Sequence, residues 1–154
     1  MEEIGLEVHE DEAGNVFGIL RGTDPEAPCV MSGSHYDSVI HGGNYDGIGG
    51  VVCSIEMARQ IAESGMEHKR DLVVVGFNDE EGMRFGTGYF GSGAMLGHRD
   101  EAYTEQFKDA NGISIAEAMK EYGLDPAKVG DAAWKEGSIG HFVEAHIEQG
   151  PVLD

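Results

Sequence analysis

Hydrophobic residues in this chain follow two spacings, one typical of strands and one typical of helices. Short alternating or β-branched runs predict strands at 6–9, 16–20, 29–34, 72–77 and 141–147. Apolar residues on one face predict a helix over 47–64, before Gly65: Val51, Ile55, Ala58 and Ile61. A shorter helix is predicted over 115–122. Strands that alternate with helices predict a layered α/β domain with a mostly parallel, mixed sheet.

Residues that can bind metal ions follow three of the predicted strands. The third strand leads into His35 and Asp37, and the fourth is followed by Glu80 and Glu81. The last strand carries His146. Ligand sites of open α/β sheets lie at the carboxyl ends of the strands. The sequence therefore predicts that these residues meet at one edge of the sheet, where imidazole and carboxylate donors suit zinc and similar divalent ions.

Each of these residues also has a purely structural interpretation. His35 and Asp37 share a strand face, so Asp37 can orient the imidazole for a metal, or both can be ordinary structural residues. Asp46 precedes the predicted helix and is either its N-cap or a carboxylate that bridges two cations. The pair Glu80–Glu81 could supply one ligand and one general base, or be an exposed acidic pair. His146 could equally be a buried histidine with polar neighbours.

Composition limits the class of protein. The 154 residues suffice for one domain, and 29 acidic against 10 basic residues give a net charge of −19. This charge argues against nucleic-acid binding, which needs clustered Lys and Arg. No apolar run reaches the roughly 18 residues of a membrane span. The acidic N-terminus is unlike a signal peptide, so we expect a cytoplasmic protein without membrane partners. Cys29 and Cys53 are expected to be buried and reduced.

Other reaction classes lack their motifs. The sequence contains no Gly-x-Ser-x-Gly elbow, no His-Glu-x-x-His helix and no Walker-type phosphate loop. The remaining histidines are expected to be solvated or structural, and His41 is the first exception because it lies beside the glycine-rich turn. The residues alone therefore favour a metal-dependent hydrolase.

Four motifs in order carry a resemblance to a known family. They are Gly-Ser-His-x-Asp-Ser-Val at 33–39, Gly-Gly-x-Tyr-Asp-Gly at 42–47, Asp-Glu-Glu-Gly-x-Arg-Phe at 79–85 and His-Ile-Glu-Gln-Gly-Pro-Val-Leu at 146–153. Together they resemble the M20-type metallohydrolases, in the branch of N-carbamoyl-L-amino-acid amidohydrolases (the hydantoinase/carbamoylase group) and allantoate amidohydrolases. The resemblance covers nearly the whole chain and implies a zinc-exopeptidase-like αβα fold.

The resemblance implies a site for two divalent metal ions. His35 and His146 would bind the first ion, Asp46 would bridge both, and Glu81 would bind the second. Zinc or manganese would be the expected metal, and cobalt or nickel would suit the same donors.

The resemblance also implies the chemistry. Glu80 would be the general base, Asp37 would orient His35, and Gln149 would contact the substrate. The implied reaction is hydrolysis of a carbamoyl or ureido C–N bond, in which water activated by the metal and by Glu80 attacks the ureido carbon. The implied partner is thus a small molecule, an N-carbamoyl amino acid, with allantoate as the alternative.

Family members are longer than this chain. The resemblance therefore implies that 1–154 is a partial catalytic domain, without the lid (dimerisation) domain and the C-terminal part that hold the last metal ligand and the groups that bind the substrate carboxylate. Full-length members are expected to be homodimers. Gly93 stands where the family usually has an arginine. Since only one metal's ligands are complete, the alternative to a hydrolase is a non-catalytic fragment that retains one cation.

Overall fold

The computed structural model describes residues 1–149 and 152. Its centre is a five-stranded sheet with the spatial order β1-β2-β4-β3-β5. β3 runs parallel to β4 and β5, whereas β2 is antiparallel to β1 and β4. The strands are β1 (Glu7–Glu10), β2 (Val16–Leu20), β3 (Cys29–His35), β4 (Leu72–Phe77) and β5 (Ile139–Val143). The predicted α/β class with a mixed sheet is confirmed. Among the described residues, two of the four strand pairings are parallel and two are antiparallel, so the parallel share is smaller than the mostly parallel sheet predicted.

Four α-helices accompany the sheet in the described part of the chain. They are α1 (Ile48–Ser64), α2 (Phe90–Met95), α3 (Glu101–Gln106) and α4 (Ile115–Tyr122). Two short 3-10 helices lie at Glu2–Ile4 and Pro126–Ala132. As predicted, α1 ends at Gly65, whose left-handed conformation (φ 67°) costs little without a Cβ. α4 matches its predicted bounds.

Helices cover both faces of the sheet. Successive residues of β4 point to opposite faces, so neighbouring valines of this strand pack against different helices. Val74 packs with Ala58 of α1 on one face. Val73 and Val75 pack with Met95 of α2 on the other face. Burial of each valine side chain stabilises the fold by about 1.5–3 kcal/mol. The sheet is therefore the middle layer of the predicted αβα arrangement.

The carboxyl ends of β3 and β4 lie side by side. His35, the last residue of β3, pairs with Phe77, the last residue of β4. Segments that follow these strands, including Asp37 and Glu80, therefore start from the same edge of the sheet. The predicted common edge for these two motifs is present in the fold.

The last strand is shorter and earlier than predicted. β5 covers Ile139–Val143, and residues 144–149 have no regular secondary structure, so His146 is not a strand residue. A physical reason is the close packing of this segment on α1: a Cβ on Gly50 would clash with the carbonyl oxygen of Ala145. The chain leaves the sheet to cross the N-terminal turn of α1. Residues 150, 151 and 153 of the fourth motif lie outside the described residues.

Cysteine burial agrees with the prediction only in part. Both cysteines are free, and Cys29 is buried as expected, but Cys53 is exposed on α1. Within the described residues, no helix combines the length and the apolar character needed to cross a membrane.

Candidate metal centre

His35 is held in one orientation at the end of β3. Its ring is almost fully buried, with 2% of the residue exposed. Nδ1 lies 3.0 Å from the carbonyl oxygen of Asp37 and 3.5 Å from the Asp37 carboxylate. Because a carbonyl oxygen can only accept, Nδ1 carries the proton in this contact. The lone pair of the neutral ring is therefore on Nε2, which faces the other site residues.

The Asp37 carboxylate also accepts backbone hydrogen bonds, which the sequence did not predict. Oδ1 accepts a hydrogen bond from the backbone N–H of Glu80, and Oδ2 accepts one from Glu81, both at 3.0 Å. Asp37 thus fixes the start of the loop that carries both glutamates. The predicted orienting effect on His35 acts mainly through the Asp37 backbone carbonyl, since the carboxylate is farther away.

Asp46 is not the N-cap of α1. That position is taken by Gly47, which has φ 65° and ψ −63° and provides no side-chain cap. A Cβ at Gly47 would clash with the His35 ring, so only glycine lets the two segments approach this closely. The Asp46 carboxylate points into the site instead: Oδ1 lies 3.6 Å from Nε2 of His35 and 3.5 Å from Nε2 of His146.

His146 completes this group from the segment after β5. Its Nδ1 lies 2.9 Å from the carbonyl oxygen of Ile147, which places the lone pair of the neutral ring on Nε2. That atom lies 3.4 Å from Nε2 of His35. Asp46, His35 and His146 therefore point three electron-pair donors at one another, and Oδ1 of Asp46 is buried without a hydrogen-bond partner.

These three donors fit a metal ion. Ligands about 2.0–2.1 Å from a tetrahedral ion lie about 3.3–3.5 Å apart. The separations of 3.4, 3.5 and 3.6 Å among His35, Asp46 and His146 are close to that spacing. A buried carboxylate oxygen without a donor is costly unless a cation or a donor faces it. The donor set is thus suited to a divalent cation.

A second group of possible ligands shares His35. It consists of His35, Glu80 and Glu81. Oε2 of Glu80 lies 3.8 Å from Nε2 of His35, and Oε1 of Glu81 is buried without a hydrogen-bond partner. Burial raises the pKa of Glu81, and the carboxylates of Asp46 and Glu80 raise it further. A cation near Glu81 would relieve this repulsion.

The structure does not display Asp46 as a bridge between the two groups. Its Oδ2 accepts a hydrogen bond from Nε2 of Gln149 at 2.8 Å. The predicted substrate residue Gln149 therefore contacts Asp46, although it also lines the adjoining cavity. His41, the first exception among the other histidines, is exposed and belongs to neither group of possible ligands.

Sequence reasoning missed the glycine pattern at the start of α2 and its packing role. Residues 86–91 have the spacing Gly-x-Gly-x-x-Gly, which alone would suggest a nucleotide loop. Here Gly88 leaves room for the carbonyl oxygen of Glu80, and Gly91 leaves room for the side chain of Asn15. The Tyr89 N–H donates to the Glu80 carbonyl at 2.9 Å. The spacing therefore helps to position Glu80 through its carbonyl, whereas Asp37 accepts from its N–H.

Gly93, where an arginine was expected from the resemblance, lies against another arginine. A Cβ at Gly93 would lie 2.7 Å from Cζ of Arg99. The Arg99 guanidinium stacks over Tyr103 at 4.4 Å and donates to the carbonyl of Tyr89 at 3.3 Å. A guanidinium thus packs beside position 93, although it comes from a different position in the sequence.

A cavity of about 650 Å³ adjoins the two groups of possible ligands. Its polar lining includes His35, Glu80 and His146, together with Glu144, which accepts a hydrogen bond from Ser34 at 2.6 Å. Its apolar lining includes Phe77, Leu96 and Phe142. A concave site with a few convergent polar groups is typical of small-molecule binding.

Comparison with known proteins shows related sequences over the whole chain. The family model described as Peptidase family M28 matches residues 15–119. The chain is 48% identical over 154 residues to an N-carbamoyl-L-amino acid amidohydrolase of Geobacillus stearothermophilus, covering the whole chain and 37% of that protein. It is 40% identical over 154 residues to an allantoate amidohydrolase of Bacillus subtilis, with the same coverage.

A solved structure shows the same fold. A hydantoinase/carbamoylase family amidase from Burkholderia ambifaria superposes with a TM-score of 0.84 at 33% sequence identity, covering 99% of this chain and 36% of that one. The chain thus spans little more than a third of the length of the relatives it matches. It belongs to peptidase family M28, and its similarity to the N-carbamoyl-L-amino-acid and allantoate amidohydrolases agrees with the branch that its four motifs predicted.

Proposed function

We propose that this chain forms the metal-binding part of the active site of a hydrolase that cleaves a non-peptide C–N bond. One observation carries the proposal: three atoms that can each bind a metal, Nε2 of His35, Oδ1 of Asp46 and Nε2 of His146, lie 3.4, 3.5 and 3.6 Å from one another. A divalent cation among these atoms would be bound by all three. The similarity to amidohydrolases supports the reaction class.

Two divalent metal ions are proposed for the site. His35, Asp46 and His146 would hold the first ion, and Glu81 would hold the second, with Asp46 as the bridge. Zinc or manganese suits these nitrogen and oxygen donors, as do cobalt and nickel. Occupation by a single ion is the alternative, because the described residues supply a full donor set only for the first.

The metal ions would act as Lewis acids that polarise the scissile carbonyl and acidify a water molecule. Glu80 would take a proton from that water and return it to the leaving nitrogen. Its backbone is fixed for this task by Asp37 on one side and by the Tyr89 N–H on the other. Gln149 would hold Asp46 and contact the substrate from the same edge of the cavity.

The proposed substrate is an N-carbamoyl-L-amino acid, which would be split to release the free amino acid. The relative from Geobacillus stearothermophilus supports this choice, and the relative from Bacillus subtilis supports allantoate as the alternative. We further propose that the enzyme is cytoplasmic and homodimeric at full length, and that it is of the M20 type indicated by its four motifs, a group related to peptidase family M28. In this enzyme, residues 1–154 would be part of a catalytic domain that also needs a lid domain and a C-terminal part.

A second candidate function is a non-catalytic piece that binds one cation. The observation that favours it is the unequal completeness of the two donor groups: the first has three converging donors, whereas the second shares His35 with the first. Turnover of N-carbamoyl amino acids by the metal-loaded chain would exclude this candidate.

Metal analysis of the purified chain tests the proposal. Wild type, His35→Ala and His146→Ala are loaded with zinc or manganese, passed through a desalting column and analysed by mass spectrometry. We expect at least one equivalent in wild type and its loss in both variants. His141→Ala, which removes an exposed histidine of β5 outside both groups, should retain the metal. A wild type that holds no metal, or variants that keep it, would contradict the proposed centre.

A further inference from the structure

The cavity has large apolar side chains that are exposed to solvent. Tyr89, Leu96 and Phe142 line it, with exposed fractions of 64%, 60% and 44%. Buried Phe77 and Met95 line the same cavity. We call Tyr89, Leu96 and Phe142 the apolar wall. Exposed apolar side chains that cluster beside convergent polar groups are typical of a ligand-binding groove rather than of ordinary surface.

Phe142 reaches the wall because of an irregularity in β5. Ile139 pairs with Cys29, but His141 already pairs with Val30, so Gly140 is an extra residue in the strand. In a regular strand Ile139 and Phe142 would point to opposite faces. The bulge instead puts both on the face that carries His35, and both line the cavity. Bulges that re-aim a side chain are common beside functional sites.

Tyr89 reaches the wall through an unfavourable backbone conformation. Its φ of 57° and ψ of 35° lie in the left-handed region, which costs a non-glycine residue free energy. Three hydrogen bonds hold this conformation. The Tyr89 N–H donates to the Glu80 carbonyl at 2.9 Å. The Tyr89 carbonyl accepts from the Gly93 N–H at 2.9 Å and from Arg99 at 3.3 Å. The side chain is nonetheless largely exposed, so core burial does not offset the strain.

The apolar wall is directly continuous with the proposed reaction centre. The Phe142 ring lies 6.1 Å from the ring of Phe77, and Phe77 is the strand partner of His35. The same cavity contains Glu80 and His146. A compound whose reacting bond lies beside His35 and Glu80 therefore has the apolar wall within the same cavity.

We propose that the apolar wall binds the side chain of the substrate, so that the preferred substrate is an N-carbamoyl amino acid with a large apolar side chain. This inference rests on the proposed function and narrows it. A benzyl or branched aliphatic side chain would be removed from water by contact with Leu96 and Phe142. Allantoate carries a second polar ureido group in place of such a side chain, and that group would lose hydration at the wall without a matching partner.

The test compares three ligands in NMR titrations of the metal-loaded chain. N-carbamoyl-L-phenylalanine and N-carbamoylglycine differ only in the side chain. L-phenylalanine lacks only the carbamoyl group. We expect N-carbamoyl-L-phenylalanine to bind about ten-fold more tightly than N-carbamoylglycine, because partial burial of a benzyl group removes apolar area from water.

Two variants of the wall and one control variant assign the difference to the wall. In Leu96→Ser the preference for the benzyl ligand should fall to about three-fold or less, since the wall loses part of its apolar area. Val52→Ser is the matched control, because Val52 is also an aliphatic residue, is 57% exposed and lies on α1 outside this cavity. It should keep the ten-fold preference. Phe142→Leu, a milder change in β5, should shift the preference from the benzyl ligand toward N-carbamoyl-L-leucine.

Each outcome decides the inference. Equal binding of the benzyl and glycine ligands, no binding of the benzyl ligand, or an unchanged preference in Leu96→Ser would overturn it. If the proposed function is wrong, the result is different. L-phenylalanine would bind as tightly as N-carbamoyl-L-phenylalanine, and removal of the metal would leave both affinities unchanged. In that case the wall would still recognise apolar side chains, but the metal centre would not recognise the carbamoyl group.

Discussion

Oδ1 of Asp46 lies 3.5 Å from Nε2 of His146 and has no hydrogen-bond partner, although it is buried. Where the His146 proton is on Nδ1, facing the Ile147 carbonyl, Nε2 and Oδ1 face each other as two acceptors. A cation bound between them would stabilise the folded state. This relationship links stability to metal binding, which makes the site accessible to experiments that need no substrate.

Metal should stabilise wild type much more than Asp46→Asn. At a free metal concentration of 100 Kd, binding to the folded state stabilises a protein by about 2.7 kcal/mol. If Asp46→Asn weakens the affinity about 100-fold, the same metal concentration should stabilise the variant by only about 0.4 kcal/mol. Urea unfolding with and without metal measures both values. The exposed Asp131→Asn variant should behave as wild type, and equal stabilisation of Asp46→Asn would rule out a ligand role for Asp46.

Asp37→Ala should destabilise the fold even without metal. The substitution removes the acceptor of the Glu80 and Glu81 backbone N–H groups. Partly buried N–H groups without partners cost about 1–3 kcal/mol, and water can satisfy some of this demand because Asp37 is only partly buried. We expect a loss of about 1–3 kcal/mol in urea unfolding of the metal-free chain. A loss below about 0.5 kcal/mol would mean that the loop does not depend on Asp37.

Gly47→Ala should damage the metal centre, whereas Gly43→Ala should not. A Cβ at Gly47 would clash with the His35 ring, and the φ of 65° is unfavourable for alanine. Gly43 lies in the same glycine-rich turn, but a Cβ there would meet no atom within 4 Å. We expect Gly47→Ala to lose about 1–3 kcal/mol of stability and its bound metal. Metal content and urea midpoints of the two variants check this, and similar behaviour of both would refute it.

The sheet and its site edge could be predicted because their causes are local. The continuous apolar run of β4 specifies a buried strand, and the face of α1 that carries Val51 and Ala58 specifies which side of the helix is buried. Since the carboxyl ends of parallel strands lie at one edge of a sheet, the sequence alone predicts that His35 and Glu80 lie near each other. The family resemblance added the roles that local patterns left open.

The remaining features could not be predicted because they depend on contacts between distant segments. Asp46 fails to cap α1 because Gly47 must pass beside His35, and no local propensity contains that requirement. His146 leaves the sheet because its segment crosses Gly50 of α1. Likewise, the bulge at Gly140 follows from strand pairing, so the alternation of residues gave no sign that Ile139 and Phe142 share a face.

The pH dependence of stability should include a contribution from Glu117 in α4, the helix that packs against Phe90 of α2. The Ser114 backbone N–H and hydroxyl donate to the Glu117 carboxylate, and these bonds, with Lys108 and Lys120 nearby, lower the pKa of Glu117. A carboxyl whose pKa is lower in the folded state stabilises the fold above its unfolded pKa, about 4.3. That contribution is lost as the pH falls through the folded pKa.

Glu117→Gln should therefore lose stability relative to wild type above about pH 4.5, and the difference should shrink toward pH 3. The same series for Glu121→Gln, an exposed glutamate of the same helix outside the capping box, is the matched control. Urea midpoints between pH 3 and pH 6 measure all three chains. A Glu117→Gln deficit that stayed constant over this range would mean that the capping box acts through its hydrogen bonds without regard to the charge of Glu117.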